Sequence, residues 1–304
     1  MKPVSIIFLV VALLFGIGGY ACMRVGQSMA AKEGVDLLAG TAVGDEDYVY
    51  TYEYDDDTIG KISVNVKEAD INIIGGASKP YVELINFAEG MYEFTSSNRI
   101  LTVSNNSDFS EISDIASLVF NFKGLRSLVN YNNIRGRDKT VNIYVTDDCP
   151  VKIFECKVER GNVSISSNSS QSDYNVTIGE GSLSLDDITT TSAANISIST
   201  GGLIIDSCDI SKLSLEIEKG DAELIASSAV KISAKLGTGD FRFGYRGQLG
   251  SVNLDLFTEV GGVKLDGESK GGFWEVSDLP TNSGFEVTVS KGDIVLNSNM
   301  TEEY

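Results

Sequence analysis

The chain has 304 residues, with 31 glycines, 4 prolines, no histidine and a formal net charge of −19. Without histidine, Ser–His–Asp and Cys–His nucleophile systems are excluded within the chain, and the commonest metal ligand is missing. Residues 1–28 hold Lys2 and Arg24 and no acid, so residues 29–304 carry −21; that balance disfavours nucleic acid, whose binders present a basic footprint.

Met1-Lys2 is followed by Pro3–Met23, an uncharged run of 21 residues. A run of that length spans a bilayer as a helix. A cleaved signal peptide competes, because Gly19-Tyr20-Ala21 and Ser28-Met29-Ala30 have small-x-small spacing. The length of the run favours an uncleaved anchor over residues 1–28. Lys2 lies before the span and Arg24 and Lys32 after it, so basic residues do not set the orientation. A short N-terminal span heading a large domain exports it, which predicts a single-pass plasma-membrane protein with residues 33–304 extracellular. Residues 29–47 read as a polar linker and 48–304 as the folded domain.

The first apolar ladder follows the linker. Ile62, Val64 and Val66 precede Ala69, and Ile71 and Ile73 follow it, so apolar residues two apart share one face of a strand. Val82, Leu84, Ile100, Leu101 and Val103 predict further strands in poorer register. Residues 104–139 are an insertion of different character. Asp108 and Glu111 have capping-box spacing, Ile112, Ile115, Val119 and Phe122 recur on one helical face, and Lys123-Gly124 ends the pattern. An amphipathic helix is therefore predicted over Phe109–Phe122. Lys123, Arg126, Arg135, Arg137 and Lys139 follow, with Asp138 the single acid among them. These five are candidate interaction residues for a membrane surface or an anionic envelope polymer; a cap over the end of the domain, with solvated charges, is the competing reading.

The ladder resumes at Val141, Ile143 and Val145 and becomes regular from Gly161. Lines begin GNVSI, GSLSL, GGLII, GDAEL, GDFRF, GGVKL and GDIVL at Gly161, Gly181, Gly201, Gly220, Gly239, Gly261 and Gly292, in steps of 20, 20, 19, 19, 22 and 31. Self-similarity at a period near 20 marks a repeat architecture. Apolar residues fill the columns two and four after each glycine and three, five and seven before it; Thr258 breaks the column three before. Across the glycine the apolar spacing is five, so a flat strand would turn inside out, and a corner or bulge at the glycine removes the conflict. A single unit buries too little to stand alone, so neighbours must complete the core. The prediction is an all-β parallel β-solenoid of about 20-residue units with one short helical insertion; an antiparallel sandwich or barrel is the alternative.

Other signals are weaker. Cys156 falls in an inward column, and spacing leaves a Cys149–Cys208 pair open. Asp221, Asp240 and Asp293 follow their glycines and could hold Ca²⁺, but only the first two stand in consecutive lines, and Gly-Asp is ordinary turn chemistry. Trp274, the single tryptophan, lies in a predicted loop around Gly271–Asn282, where it is either a contact residue or a buried staple. No paired carboxylates of a glycosidase are recognisable. No cofactor or metal is predicted.

The run Val141-Asn-Ile-Tyr-Val145, Pro150, Val151-Lys-Ile-Phe-Glu-Cys-Lys-Val158 and Gly161-Asn-Val-Ser-Ile165 resembles the bacterial putative-adhesin proteins with β-strand repeats. Lys219-Gly220-Asp221, Thr238-Gly239-Asp240 and Lys291-Gly292-Asp293 are similar to that family's corner. The resemblance covers about residues 58–304, and the insertion departs from it. It implies an extracytoplasmic, envelope-associated protein, with no catalytic residues to carry over. The resulting expectation is a non-enzymatic binding or scaffold module at the cell envelope, held by its N-terminal helix, with an envelope polymer or protein as partner. A carbohydrate-active β-helix enzyme and a scaffold that stacks end to end through uncapped units are the alternatives.

Overall fold

Each line of the repeat forms two strands that meet at its glycine. The computed structural model describes residues 47, 49–54, 59–87, 92–105, 137–146, 151–166 and 173–300. Its strands in chain order are β1 (Val49–Glu53), β2 (Lys61–Glu68), β3 (Asp70–Ile74), β4 (Tyr81–Ile85), β5 (Tyr92–Ser97), β6 (Ile100–Asn105), β7 (Thr140–Tyr144), β8 (Ile153–Arg160), β9 (Val163–Ser166), β10 (Asp173–Glu180) and β11 (Leu183–Asp186). The regular part continues with β12 (Thr189–Thr200), β13 (Leu203–Asp206), β14 (Asp209–Lys219), β15 (Ala222–Thr238), β16 (Phe241–Tyr245), β17 (Asn253–Val260), β18 (Val263–Leu265), β19 (Glu268–Gly271), β20 (Phe273–Val276), β21 (Gly284–Lys291) and β22 (Ile294–Asn297). The predicted helix over Phe109–Phe122 and the apolar run 3–23 lie outside the described residues. Among the described residues no helix is long and apolar enough to cross a membrane.

The chain divides into two compact units. Residues 49–85, 92–105 and 138–304 make up the β-solenoid. The other unit takes in 1–48, 86–91 and 106–137; within it Asn86 Nδ2 donates to Asp47 Oδ1 at 2.9 Å.

The solenoid has two sheets. Sheet I runs β5-β6-β2-β8-β10-β12-β14-β15-β21-β17-β20, and sheet II runs β1-β4-β7-β3-β9-β11-β13-β15-β16-β22-β18-β19. The long strand β15 serves sheet II with its first half and sheet I with its second. Pairing is parallel throughout the body and antiparallel only at the ends, at β4 with β1 and β7, β5–β6, β18–β19 and β17–β20. Like residues therefore stack in register. Cys156, Val176, Ile196, Leu215, Ala234, Val287 and Leu256 form one buried column, and Ile165, Leu185, Ile205, Leu224, Phe243 and Leu296 form the facing one. Small residues offset large ones in a column: Phe154 and Tyr174 stack at 5.3 Å and Ala194 follows them, which keeps the interior filled without strain.

The stack does not follow chain order at its far end. The last coil, β21–β22, lies between the Gly239 coil and the Gly261 coil. The stretch expected as a loop around Gly271–Asn282 instead begins with β19 and β20, which fold back over the outer side of the Gly261 coil. These extra strands account for the long step from Gly261 to Gly292. They cover that end of the stack with antiparallel strands. At the other end β1 and β5 contribute Tyr50, Tyr52, Tyr92 and Phe94; Tyr52 stacks on Phe94 at 4.5 Å and its hydroxyl lies 2.8 Å from that of Tyr92. Short strands with charged side chains such as Glu268, Lys270 and Glu275 form the far edge, a composition that discourages pairing with another edge.

The corner glycines have φ between 137° and 155°, a region that is essentially closed to other residues. Each also lies on the backbone of its neighbour in the stack. A Cβ on Gly220 would sit 1.7 Å from Gly201 O, and one on Gly292 would sit 2.0 Å from Gly239 O. The series starts at Ala69, whose carbonyl lies under Gly161. On the other side β2 and β3 pair with β6 and β7, and no glycine among those strands stacks on Ala69 as Gly161 does.

Candidate functional site

The residue after each corner glycine ties its coil to the next. Asp70 Oδ1 accepts Asn162 N–H at 2.7 Å, Asn162 Oδ1 accepts Ser182 N–H at 3.0 Å and Ser182 Oγ accepts Gly202 N–H at 3.2 Å. After Gly202, which has no side-chain acceptor, the series resumes with Asp221 Oδ1 to Asp240 N–H at 2.8 Å, Asp240 Oδ1 to Asp293 N–H at 2.9 Å and Asp293 Oδ1 to Gly262 N–H at 2.9 Å. The three aspartates are consecutive in the stack, which corrects the reading of Asp293 as remote from Asp240. Each spends one oxygen on a neighbouring coil, so the Gly-Asp column is a structural ladder. Among the described residues no group of His, Cys, Asp or Glu is arranged to hold a metal ion.

A second ladder lies at the opposite corner, where Asp187, Ser207 and Ala226 take positive φ. Ile188 N–H donates to Cys208 Sγ at 3.4 Å, and Cys208 N–H donates to Ser227 Oγ at 3.0 Å. Cys208 Sγ donates in turn to Asp206 O at 3.0 Å, as Ser227 Oγ donates to Ile225 O at 2.7 Å. Cys208 is thus a free thiol doing a serine's hydrogen bonding; Cys149 lies outside the described residues. Burial pushes the thiols of Cys156 and Cys208 up to about 12, which keeps both protonated and unreactive.

Two of the five basic candidates lie among the described residues. Arg137 pairs with Asp47 at 3.9 Å, and Lys139 pairs with Glu68 at 3.6 Å. Lys123, Arg126 and Arg135 lie outside the described residues. Trp274 is half-buried on β20, with the Lys270 ammonium 4.9 Å from its ring centre, so it is neither a fully buried staple nor a freely exposed anchor. Its neighbour Phe273 is 53% exposed, directly across from Phe257 at 41%.

On sheet II, Glu83 accepts from Asn142 Nδ2 at 3.2 Å and from the Tyr144 hydroxyl at 3.3 Å, and Tyr81 stacks on Tyr144 at 4.2 Å. Burial, then the Glu83 charge, pushes the Tyr144 phenol up to about 12. This network fixes the outer face of β4 and β7.

A concavity of about 590 Å³ lies on the outer face of sheet I. Strand register builds it. Asn195, Ser214, Ser233, Glu286, Asp255 and Glu275 stand side by side on β12, β14, β15, β21, β17 and β20. Two residues earlier along the strands run Lys212, Lys231, Gly284 and Asn253. Gly284, without a side chain, opens the floor between Lys231 and Asn253. Neighbouring strands are about 4.8 Å apart, so six of them give a trough about 24 Å long, with hydroxyl and amide groups at one end and carboxylates at the other. No sequence motif marks this row. Its members come from different lines of the repeat, and β21 enters it out of chain order.

No curated protein matches the chain. Among solved structures, a putative adhesin from Bacteroides fragilis is 12% identical over 84% of this chain and 98% of its own, with a TM-score of 0.47. A putative adhesin from Parabacteroides distasonis is 11% identical over 85% and 99%, with a TM-score of 0.43, and a protein from the same species described as a putative lipid binding protein is 11% identical over 85% and 98%, with a TM-score of 0.33. The model of the Toastrack DUF4097 family matches residues 59–303, from the first inward strand to the end of the last coil, and the chain belongs to that family.

Proposed function

We propose that this protein is a binding module without catalytic residues, held at the cell envelope by residues 3–23 with its solenoid outside the membrane, and that its ligand lies along the trough on sheet I. The observation that carries the reading is the register-fixed row from Asn195 to Glu275. Small polar side chains repeat there at the strand spacing, on a face whose register is set by parallel pairing from coil to coil. An open trough of this length suits an extended polar polymer with repeated hydroxyl, amide or charged groups. A closed, mostly apolar cavity would suit a compact small molecule. The N-terminal apolar run and the family resemblance support the envelope location.

The test is retention of isolated cell-envelope polymer by the full chain in detergent micelles. Ser214→Arg and Ser233→Arg fill the trough from exposed positions and should abolish retention without changing the melting temperature. Undiminished retention by the double variant would place the ligand elsewhere.

A further inference from the structure

The out-of-order coil has a counterpart in the strands around it. β21 lies between β15 and β17, and β22 lies between β16 and β18. The arm and the Gly261 coil beside it match each other. Leu254 and Leu256 repeat the inward positions of Phe285 and Val287, Val263 that of Ile294, and Gly261 that of Gly292. The ladders match too. Asp240 Oδ1 accepts the N–H of Asp293, and Asp293 Oδ1 accepts that of Gly262, so removal of the arm would leave Asp240 facing Gly262 N–H as an equivalent donor. Thr258, which broke the apolar column, donates its hydroxyl to Gly292 O at 2.9 Å; Gly239 O holds the same place one coil down.

The Gly261 coil is made before the arm and carries the pattern that the edge of β15 and β16 accepts. In chain order it docks there first, and the arm, joined through residues 277–283, is then left without a place in its own chain. We infer that residues 284–300 are a removable strand pair, that with the arm out the Gly261 coil rests on β15 and β16 in the same register, and that when this coil lifts the slot accepts the arm of a second copy. Exchange of this kind keeps every contact of the closed form and changes only the connectivity at the hinge. Its balance therefore follows protein concentration against the effective concentration set by a short linker. The arm carries Gly284 and Glu286 of the trough, but the inference does not depend on which ligand the trough binds.

The experiment uses the full chain in detergent micelles. In Gly292→Ala a Cβ would lie 2.0 Å from Gly239 O, which bars the arm and leaves the other coils unaltered. The variant should keep a cooperative transition and its β-sheet circular dichroism. Its cleavage within 277–283 should be at least tenfold faster than in the wild type. It should bind one synthetic peptide of residues 284–300 per chain and copurify with a differently tagged wild-type chain after mixing. A variant that folds but takes up neither peptide nor partner overturns the inference. So does a variant that fails to fold. The wild type gives a separate reading by hydrogen exchange: the amides of β21 and β22 should exchange together, at least tenfold faster than those of β15 and β16, and equal rates would show the arm to be an integral part of the core.

Discussion

Replacing Gly220 with alanine tests the corner geometry directly. Its φ is 144°, and forcing a non-glycine residue there costs about 1–3 kcal/mol. The added Cβ would also sit 1.7 Å from Gly201 O, where separations under 3.0 Å are essentially never seen. The two coils must part locally by more than an ångström. That stretches Gly201 N–H to Lys219 O and Leu203 N–H to Asp221 O, each 2.9 Å in the native fold, at about 1 kcal/mol apiece. The expected loss is about 3–5 kcal/mol, a large share of a typical domain's stability. Gly267→Ala is the control: its φ is 82° and nothing lies within 4 Å of the added carbon, so only the left-handed backbone matters, at about 1–2 kcal/mol. Urea unfolding followed by circular dichroism and Trp274 fluorescence measures both. Equal losses in the two variants would refute stacked corners. Ala69→Gly should cost no more than about 1 kcal/mol, since that corner has normal φ.

The remaining expectations concern the core and its thiols. Leu185 is fully buried and Ser184 half-buried on the opposite face, so Leu185→Asp should cost several kcal/mol and Ser184→Asp less than about 1 kcal/mol, read as melting temperatures; equal shifts would mean the wrong face. Cys208→Ser should be nearly neutral, because Ser227 already makes the same bonds, whereas Cys208→Val should lose about 1–3 kcal/mol by orphaning Ile188 N–H. A thiol reagent at pH 8 should label Cys208 only as fast as the chain opens, and rapid labelling of the folded protein would refute its burial. Both buried thiols rise from 9.0 to about 12 on folding. Above pH 9 the unfolded chain gives up protons that the folded chain keeps, so stability should fall from pH 9 to 12, by about 1.4 kcal/mol per pH unit for each thiol; a flat profile over that range would contradict the shift.

The strand–glycine–strand unit was legible because both of its causes are local. Alternation places Val163 and Ile165, or Leu183 and Leu185, on one face, and the odd spacing across the glycine demands a corner. Ala69 holds the glycine slot of its line; it comes before the first stacked glycine, and position in a stack is not a property of the local sequence. The same holds for Asp293. Nothing between Gly261 and Gly292 tells which coil the last one will lie on, since both candidate neighbours offer the same columns. The Ile188–Cys208–Ser227 ladder was hidden because its members share a hydrogen-bonding role and not a residue type. The trough was hidden for a related reason. Outward positions carry no apolar pattern, and Ser214, Asp255 and Glu275 become neighbours only through pairing across coils.

The antiparallel ends have a consequence for how such a protein changes size. Each end is closed by strands that pair only with the outermost coil, and every coil between them meets identical neighbours above and below. A duplicated Gly181 line inserted beside the original would find its glycine, its serine acceptor and its apolar columns already matched, and neither end would register the change. Each added line lengthens the outer faces by one strand spacing, about 4.8 Å. Line number is thus a ruler that descent can reset by gene duplication, so relatives of different length can reach across different distances with the same two lids.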